Sequence, residues 1–236
     1  MTLRTAIALC LILAAHEWKF SDSCGVCGRY LTPDEAALER AWNLAAPAGY
    51  LPSFNLAPSQ LAPVIVRGAE GSIRLTQFKW GFQPHWAKRA WINARCETVF
   101  DSRAFANAAR RRRCLLPAVG WYEWQGDKPP RQPWLFHLDG FTPFAFAGIW
   151  EQDGTDGTAT FAILTTAAAP AIAGIHGRMP LVVDERDHER WLAGDCDRAE
   201  SEAIIGNNRT DVAFYKVSAH VNKPENNDAA CIRPLE

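Results

Sequence analysis

The feature that most constrains this chain is the spacing of its apolar residues. Pro63 to Arg67, Ile73 to Phe82, Leu115 to Trp124, Trp134 to Leu138, Phe144 to Trp150 and Thr160 to Thr165 are short runs rich in β-branched and aromatic residues, bounded by Gly, Pro and Asp. Runs of that length and composition read as strands. Helical signals are fewer. Thr32-Pro33-Asp34-Glu35 offers a Thr N-cap, a Pro at the first helical position and a Glu three residues after the cap, which predicts a helix to about Ala45. Val99 to Arg112 and Asp184 to Ala193 read as two more, the second with Asp184 as N-cap. With no internal repeat and no dividing linker, residues 27–236 are expected to form one α+β domain. Its core would be a curved, mainly antiparallel, barrel-like sheet flanked by helices.

Residues 1–26 differ from the rest of the chain. Ala6 to Ala15 is an apolar stretch of ten residues, about half of what a membrane-spanning helix requires. It has the outline of a signal peptide, but Leu13 stands where a small residue should precede cleavage after Ala15. The segment is read as a leader or as an upstream extension. In the second case translation starts at Val26, because a GTG codon reads Val internally and Met at initiation. The seven cysteines are an odd number scattered over 236 residues, unlike the dense, even framework of a small secreted scaffold. A cytoplasmic, monomeric protein without membrane contact is expected.

The net charge of -1 hides an asymmetry. Residues 27–131 carry 15 basic and 8 acidic side chains, whereas residues 132–236 carry 8 and 16. The basic part contains Lys88, Arg89, Arg95, Arg103 and the run Arg110 to Arg113, which suits either a phosphate-binding surface or a solvated helix end.

Several strings exceed what packing alone requires. In a strand through Trp121-Tyr122-Glu123-Trp124, Trp121 and Glu123 face one side and Tyr122 and Trp124 the other. A carboxylate among large aromatics is desolvated, which raises its pKa and equips it as an acid or base near neutrality. The plain alternative is a salt-bridged surface Glu. His176 sits between Gly174 and Gly177 and is followed by Arg178-Met179-Pro180, a turn able to present an imidazole beside a phosphate-binding guanidinium, or simply a structural His. Asn93 and Arg95, two apart, face the same way if extended and suit an anionic ligand, though a turn-capping Asn is as ordinary. Cys24-Gly25-Val26-Cys27 is a CxxC without a second ligand pair, so neither metal nor cofactor is expected.

In order along the chain, Cys27-Gly28-Arg29-Tyr30, Phe54-Asn55-Leu56-Ala57-Pro58, Trp80-Gly81-Phe82, Asn93-Ala94-Arg95-Cys96-Glu97-Thr98, Arg113 to Ala118, Trp121 to Trp124, Phe146 to Trp150 and Ile175-His176-Gly177-Arg178-Met179-Pro180 resemble the SRAP family, whose members process abasic sites in DNA. The resemblance covers nearly everything after residue 26. It implies that Cys27 is the catalytic residue once it becomes the N-terminus. Its α-amine and thiol would then condense with the aldehyde of an opened abasic sugar to a thiazolidine crosslink. The resemblance further implies that Asn93 positions the amino terminus, Glu123 serves as acid and base, and His176 assists sugar opening. Arg29, Asn55, Pro58, Trp80, Phe82, Trp86, Arg95 and Arg178 would contact single-stranded DNA carrying the abasic site. Two departures stand out: Gly177 where the family usually has Asp, and Cys96 where it often has Ser. Two other readings stay open: a cysteine peptidase acting on its own leader through Cys27, His176 and Glu123, and a noncovalent single-strand binding module.

Overall fold

The computed structural model describes residues 26–68, 70–152, 157–194 and 196–236. The expectations for residues 1–25, and the CxxC pair through Cys24, lie outside them. In chain order the elements are β1 (Arg29–Leu31), α1 (Glu35–Trp42), β2 (Leu61–Arg67), β3 (Ile73–Trp80), β4 (Asn93–Arg95), α2 (Ala106–Arg111), β5 (Arg113–Ala118) and β6 (Gly120–Gln125), followed by β7 (Gln132–His137), β8 (Phe144–Glu151), β9 (Thr160–Ala167), β10 (Arg178–Pro180), β11 (Val182–Val183), α3 (His188–Leu192), α4 (Arg198–Gly206) and β12 (Ala213–Lys216). The chain is mixed α+β, mostly sheet with a few short helices. Among the described residues, no helix is long and apolar enough to cross a membrane.

Two sheets share the strands. The larger runs β10-β9-β3-β2-β5-β8-β11, and β8 also pairs with β9, so β9, β3, β2, β5 and β8 close into a ring. All its pairings are antiparallel except those of β9 with β3 and β4. The smaller sheet, β1-β6-β7-β12, lies against it. Between them sits an aromatic core in which Trp121 meets Phe146 edge-on at 5.9 Å and Tyr30 meets Phe146 at 5.7 Å, each such pair worth about 0.5–1.5 kcal/mol beyond its buried area.

The expected strand Leu115 to Trp124 is two strands in two sheets. The chain changes sheet at Val119-Gly120, where a Cβ on Gly120 would stand 2.8 Å from the Phe136 carbonyl oxygen. Only glycine lets β6 approach β7 so closely. The first helix also starts later than predicted: Asp34, not Thr32, caps it by accepting from the Ala37 N–H at 2.7 Å. Thr32 instead accepts from the Ser53 N–H at 2.8 Å, so its hydroxyl is committed to the neighbouring loop. The expected helix Val99 to Arg112 is shortened to α2. At Asp184 to Ala193 a 3-10 turn, Glu185–Asp187, precedes α3, and Asp184 caps that turn. Helix α4 is absent from the expected elements, although Asp197 and Glu200 form a full capping box at its start.

Candidate active site

The site grows from the pairing of β1 with β6. Arg29 stands opposite Tyr122 and Tyr30 opposite Trp121, so the chain just before β1 runs alongside Glu123. The Cys27 N–H donates to Glu123 Oε1 at 2.8 Å. Both side chains are buried, Cys27 completely and Glu123 to 3% exposure. On the other side of the same peptide bond, the Asn93 amide donates to the Val26 carbonyl. The Val26–Cys27 peptide is thus held at its oxygen by Asn93 and at its nitrogen by Glu123. Cys27 adopts φ +44°, a left-handed conformation that costs a non-glycine residue about 1–3 kcal/mol.

Burial pushes the Glu123 carboxyl well above the usual carboxylate range, and the hydrogen bond from Cys27 pulls only partly the other way. Burial likewise pushes the Cys27 thiol up, reinforced by the neighbouring Glu123 charge. Glu123 therefore holds its proton to higher pH than an exposed carboxyl, and Cys27 is harder to ionise than an exposed thiol. Asn93 Oδ1 is buried with no hydrogen-bond partner. An orphaned acceptor beside Cys27 is a place for an incoming donor.

Strand β9 gathers the other strings. Asn93, Ala94 and Arg95 of β4 lie opposite Ile163, Leu164 and Thr165, while Arg178 of β10 lies opposite Ala167. The Gln125 amide donates to the Gly174 carbonyl at 3.0 Å, tying the end of β6 to the turn before His176. Ile172 belongs to the buried cluster that contains Val26, Cys27 and Trp121, and Ile175 packs against it. His176 is half-buried, with Nδ1 accepting from the Arg178 N–H at 3.2 Å. A Cβ on Gly177 would meet nothing within 4 Å, so the family's usual side chain has room here.

The expected DNA contacts divide sharply. Trp86 is 53% exposed, and Lys88, Arg89, Arg95 and Arg103 are exposed with it. Trp80 and Phe82 are not: they are 1% and 0% exposed and present no face to a base. Trp80 stacks on Phe161 at 6.3 Å and donates its indole N–H to the Ile92 carbonyl at 2.9 Å; Phe82 meets Phe105 edge-on at 5.4 Å. Asn55 is also fully buried. Its amide holds the carbonyls of Val221, Lys223 and Asn226 at 2.9–3.1 Å, while its oxygen accepts from Arg29 at 3.2 Å. Arg29 is spent on that bond and on the carbonyls of Val221 and Asn222. These two residues therefore clamp the C-terminal segment onto β1, and Pro58 keeps only part of its ring exposed nearby. Arg113 leaves the basic surface too, buried against the carbonyls of Trp191, Ala109, Cys196 and Ala193.

Arg178 forms a two-pronged ion pair with Glu97 at 2.9 and 3.0 Å and also donates to Thr165. The guanidinium draws the Glu97 carboxyl below its usual range. Neither Glu97 nor Thr165 is given a role by sequence reasoning, and no spacing signal marks them.

A buried cysteine, a buried carboxyl of raised pKa and an amide converge on the Val26–Cys27 peptide bond. The chain belongs to the SOS response associated peptidase (SRAP) family, whose model matches residues 26–224. It is 34% identical over 192 residues to the abasic site processing protein YoaM of Bacillus subtilis, covering 76% of this chain and 84% of that one. It is 27% identical over 238 residues to the abasic site processing protein HMCES of Pongo abelii, covering 80% and 67%. A crystal structure of a Bacteroides thetaiotaomicron protein shares the fold, with a TM-score of 0.74 at 20% identity over 89% of this chain and all of that one. Membership of this family supports a role in the response to abasic sites in DNA.

Proposed function

We propose that the protein, in the form whose first residue is Cys27, captures abasic sites in single-stranded DNA as a covalent thiazolidine. The observation that carries this reading is the 2.8 Å contact between the Cys27 nitrogen and Glu123 Oε1. With Cys27 first in the chain, that nitrogen is an α-amine with a pKa near ~7.7–8.0, so a working fraction is neutral at cellular pH. The amine adds to the C1′ aldehyde of the opened sugar. Glu123 gives a proton to the departing hydroxyl, which leaves as water, and an imine forms. The Cys27 sulfur then bonds to the imine carbon, its proton passes to the nitrogen, and the five-membered ring closes. His176 serves sugar opening, and Arg95 and Arg178 take the flanking phosphates, Arg178 by exchanging Glu97 for phosphate. Trp86 stacks on a neighbouring base.

A second activity has its own observation. Asn93 on the Val26 carbonyl and the strained Cys27 backbone suit removal of the preceding segment by Cys27 itself. The thiol attacks the Val26 carbonyl, Asn93 steadies the oxyanion, and Glu123 protonates the leaving amide nitrogen. That step frees the Cys27 amine and leaves residues 1–26 as a thioester on the Cys27 sulfur; water then cleaves the thioester, releasing Val26 as a carboxylic acid and restoring the thiol.

The test of the capture chemistry is Cys27→Ser in the chain beginning at residue 27. It retains an amine but lacks the sulfur, so abasic single-stranded DNA should give at most a reversible imine and no heat-stable band on denaturing gels. A stable band equal to that of the parent overturns the assignment.

A further inference from the structure

The C-terminal segment holds a second group of reactive side chains that the chemistry at Cys27 does not use. The 3-10 turns Ala219–Asn222 and Ala229–Ile232 fold together, and His220, Asp228 and Cys231 each bring one ligand atom within 4.8 Å of the others. Local hydrogen bonding explains the convergence. Asp228 caps the second turn through Oδ1, which accepts from the Ala230 N–H at 2.8 Å, leaving Oδ2 at 3.2 Å from His220 Nε2. Asn226 fixes the other flank. Its amide donates to the His220 carbonyl at 2.7 Å, and its own carbonyl accepts from the Cys231 thiol at 3.2 Å. Cys231 is fully buried, while the His220 and Asp228 side chains are 35% and 58% exposed. One ligand is anchored in the core, and two open toward solvent.

The geometry points to a zinc site formed by His220, Asp228 and Cys231, with water in the fourth position. Around tetrahedral Zn²⁺, bond lengths of about 2.0–2.3 Å place ligand atoms about 3.3–3.7 Å apart. The 3.2 Å between His220 and Asp228 already matches, and the 4.8 Å limit on the trio leaves at most about 1.5 Å to close. On binding, the Cys231 S–H bond gives way to S–Zn and its proton passes to solvent; His220 binds through Nε2 as the neutral imidazole, its ring proton moving to Nδ1 as the Asn226 amide, 3.2 Å from Nδ1, turns aside. A thiolate and an imidazole suit a borderline-soft ion and not a hard one such as Ca²⁺, which takes oxygen ligands. The ion would staple the segment that Asn55 and Arg29 already clamp to β1, steadying the strand just after Cys27.

The test titrates the full chain, stripped with a chelator, with Zn²⁺ and separately with Co²⁺. Native mass spectrometry should show a zinc ion lost in Cys231→Ser. The cobalt form should show a thiolate-to-metal charge-transfer band that the same variant lacks. Asp228→Asn keeps the capping oxygen and the fold, and it should weaken zinc binding by at least about tenfold. A parent that takes up no zinc overturns the site, as does a Cys231→Ser protein that binds it as the parent does. Should Cys231→Ser fail to fold, unchanged affinity in Asp228→Asn overturns it.

Discussion

The centre around Cys27 and the rim from Trp86 to Arg103 are built on opposite terms. At the centre, Cys27, Glu123 and Asn93 converge on a single peptide bond within a buried aromatic core. At the rim, Trp86, Lys88, Arg89, Arg95 and Arg103 stand in solvent. Desolvation at the centre shifts proton affinities and fixes reacting atoms, as a multistep condensation demands. Exposure at the rim leaves charges and an indole face available to a strand of variable sequence, as loose stacking and counterion release demand. On the proposed function, the difference separates chemistry from affinity, so that each can be disturbed without the other.

The sharpest way to break that separation is at Glu123. Glu123→Gln in the chain beginning at Cys27 should slow single-turnover capture by roughly 10²–10⁴-fold while DNA affinity stays unchanged; a rate within a few-fold of the parent makes the carboxyl structural. Next in size is Phe82→Ala. Because Phe82 is buried rather than facing DNA, the variant should lose about 3–5 kcal/mol of stability in denaturant titrations. The protein that remains folded should bind DNA normally. Trp86→Ala should do the reverse, costing about 1–3 kcal/mol of DNA binding with no change in melting. Arg95→Ala should lower the salt slope of binding by roughly 0.7.

A pH series gives the smallest effect. With Cys27 in peptide linkage, the raised Glu123 pKa means that the unfolded chain ionises from about pH 4.3 upward while the folded chain holds its proton. Glu123's contribution is complete below that pH and is lost as pH rises toward the folded value. Glu123→Gln should therefore be more stable than the parent at pH 8, with the gap closing near pH 4. A constant gap would show that Glu123 is not held protonated by burial.

Strand composition and alternation made much of this legible. The six apolar runs all fall on strands, and the two faces of Trp121 to Trp124 are those the alternation requires: Trp121 packs with Cys27, Tyr122 with Val217 and Val221. What the sequence hid is set by long-range partners. Nothing local tells that Asn55 reaches three carbonyls some 170 residues on, or that Arg113 is swallowed by the loop after α3. Trp80, Phe82 and Trp86 occupy one short stretch, and only the fold decides which of them sees solvent. His220, Asp228 and Cys231 match no familiar ligand spacing because two short turns, not one helix face, bring them together.

The central claim is that the Cys27 nitrogen is the attacking atom, and intact mass after incubation with an abasic oligonucleotide tests it directly. The chain beginning at Cys27 should gain the mass of the oligonucleotide less one water and keep it through denaturation. The 236-residue form, whose Cys27 nitrogen is an amide, should gain nothing until residues 1–26 are removed. A full-length protein that takes up the oligonucleotide with Met1 still in place would contradict the account.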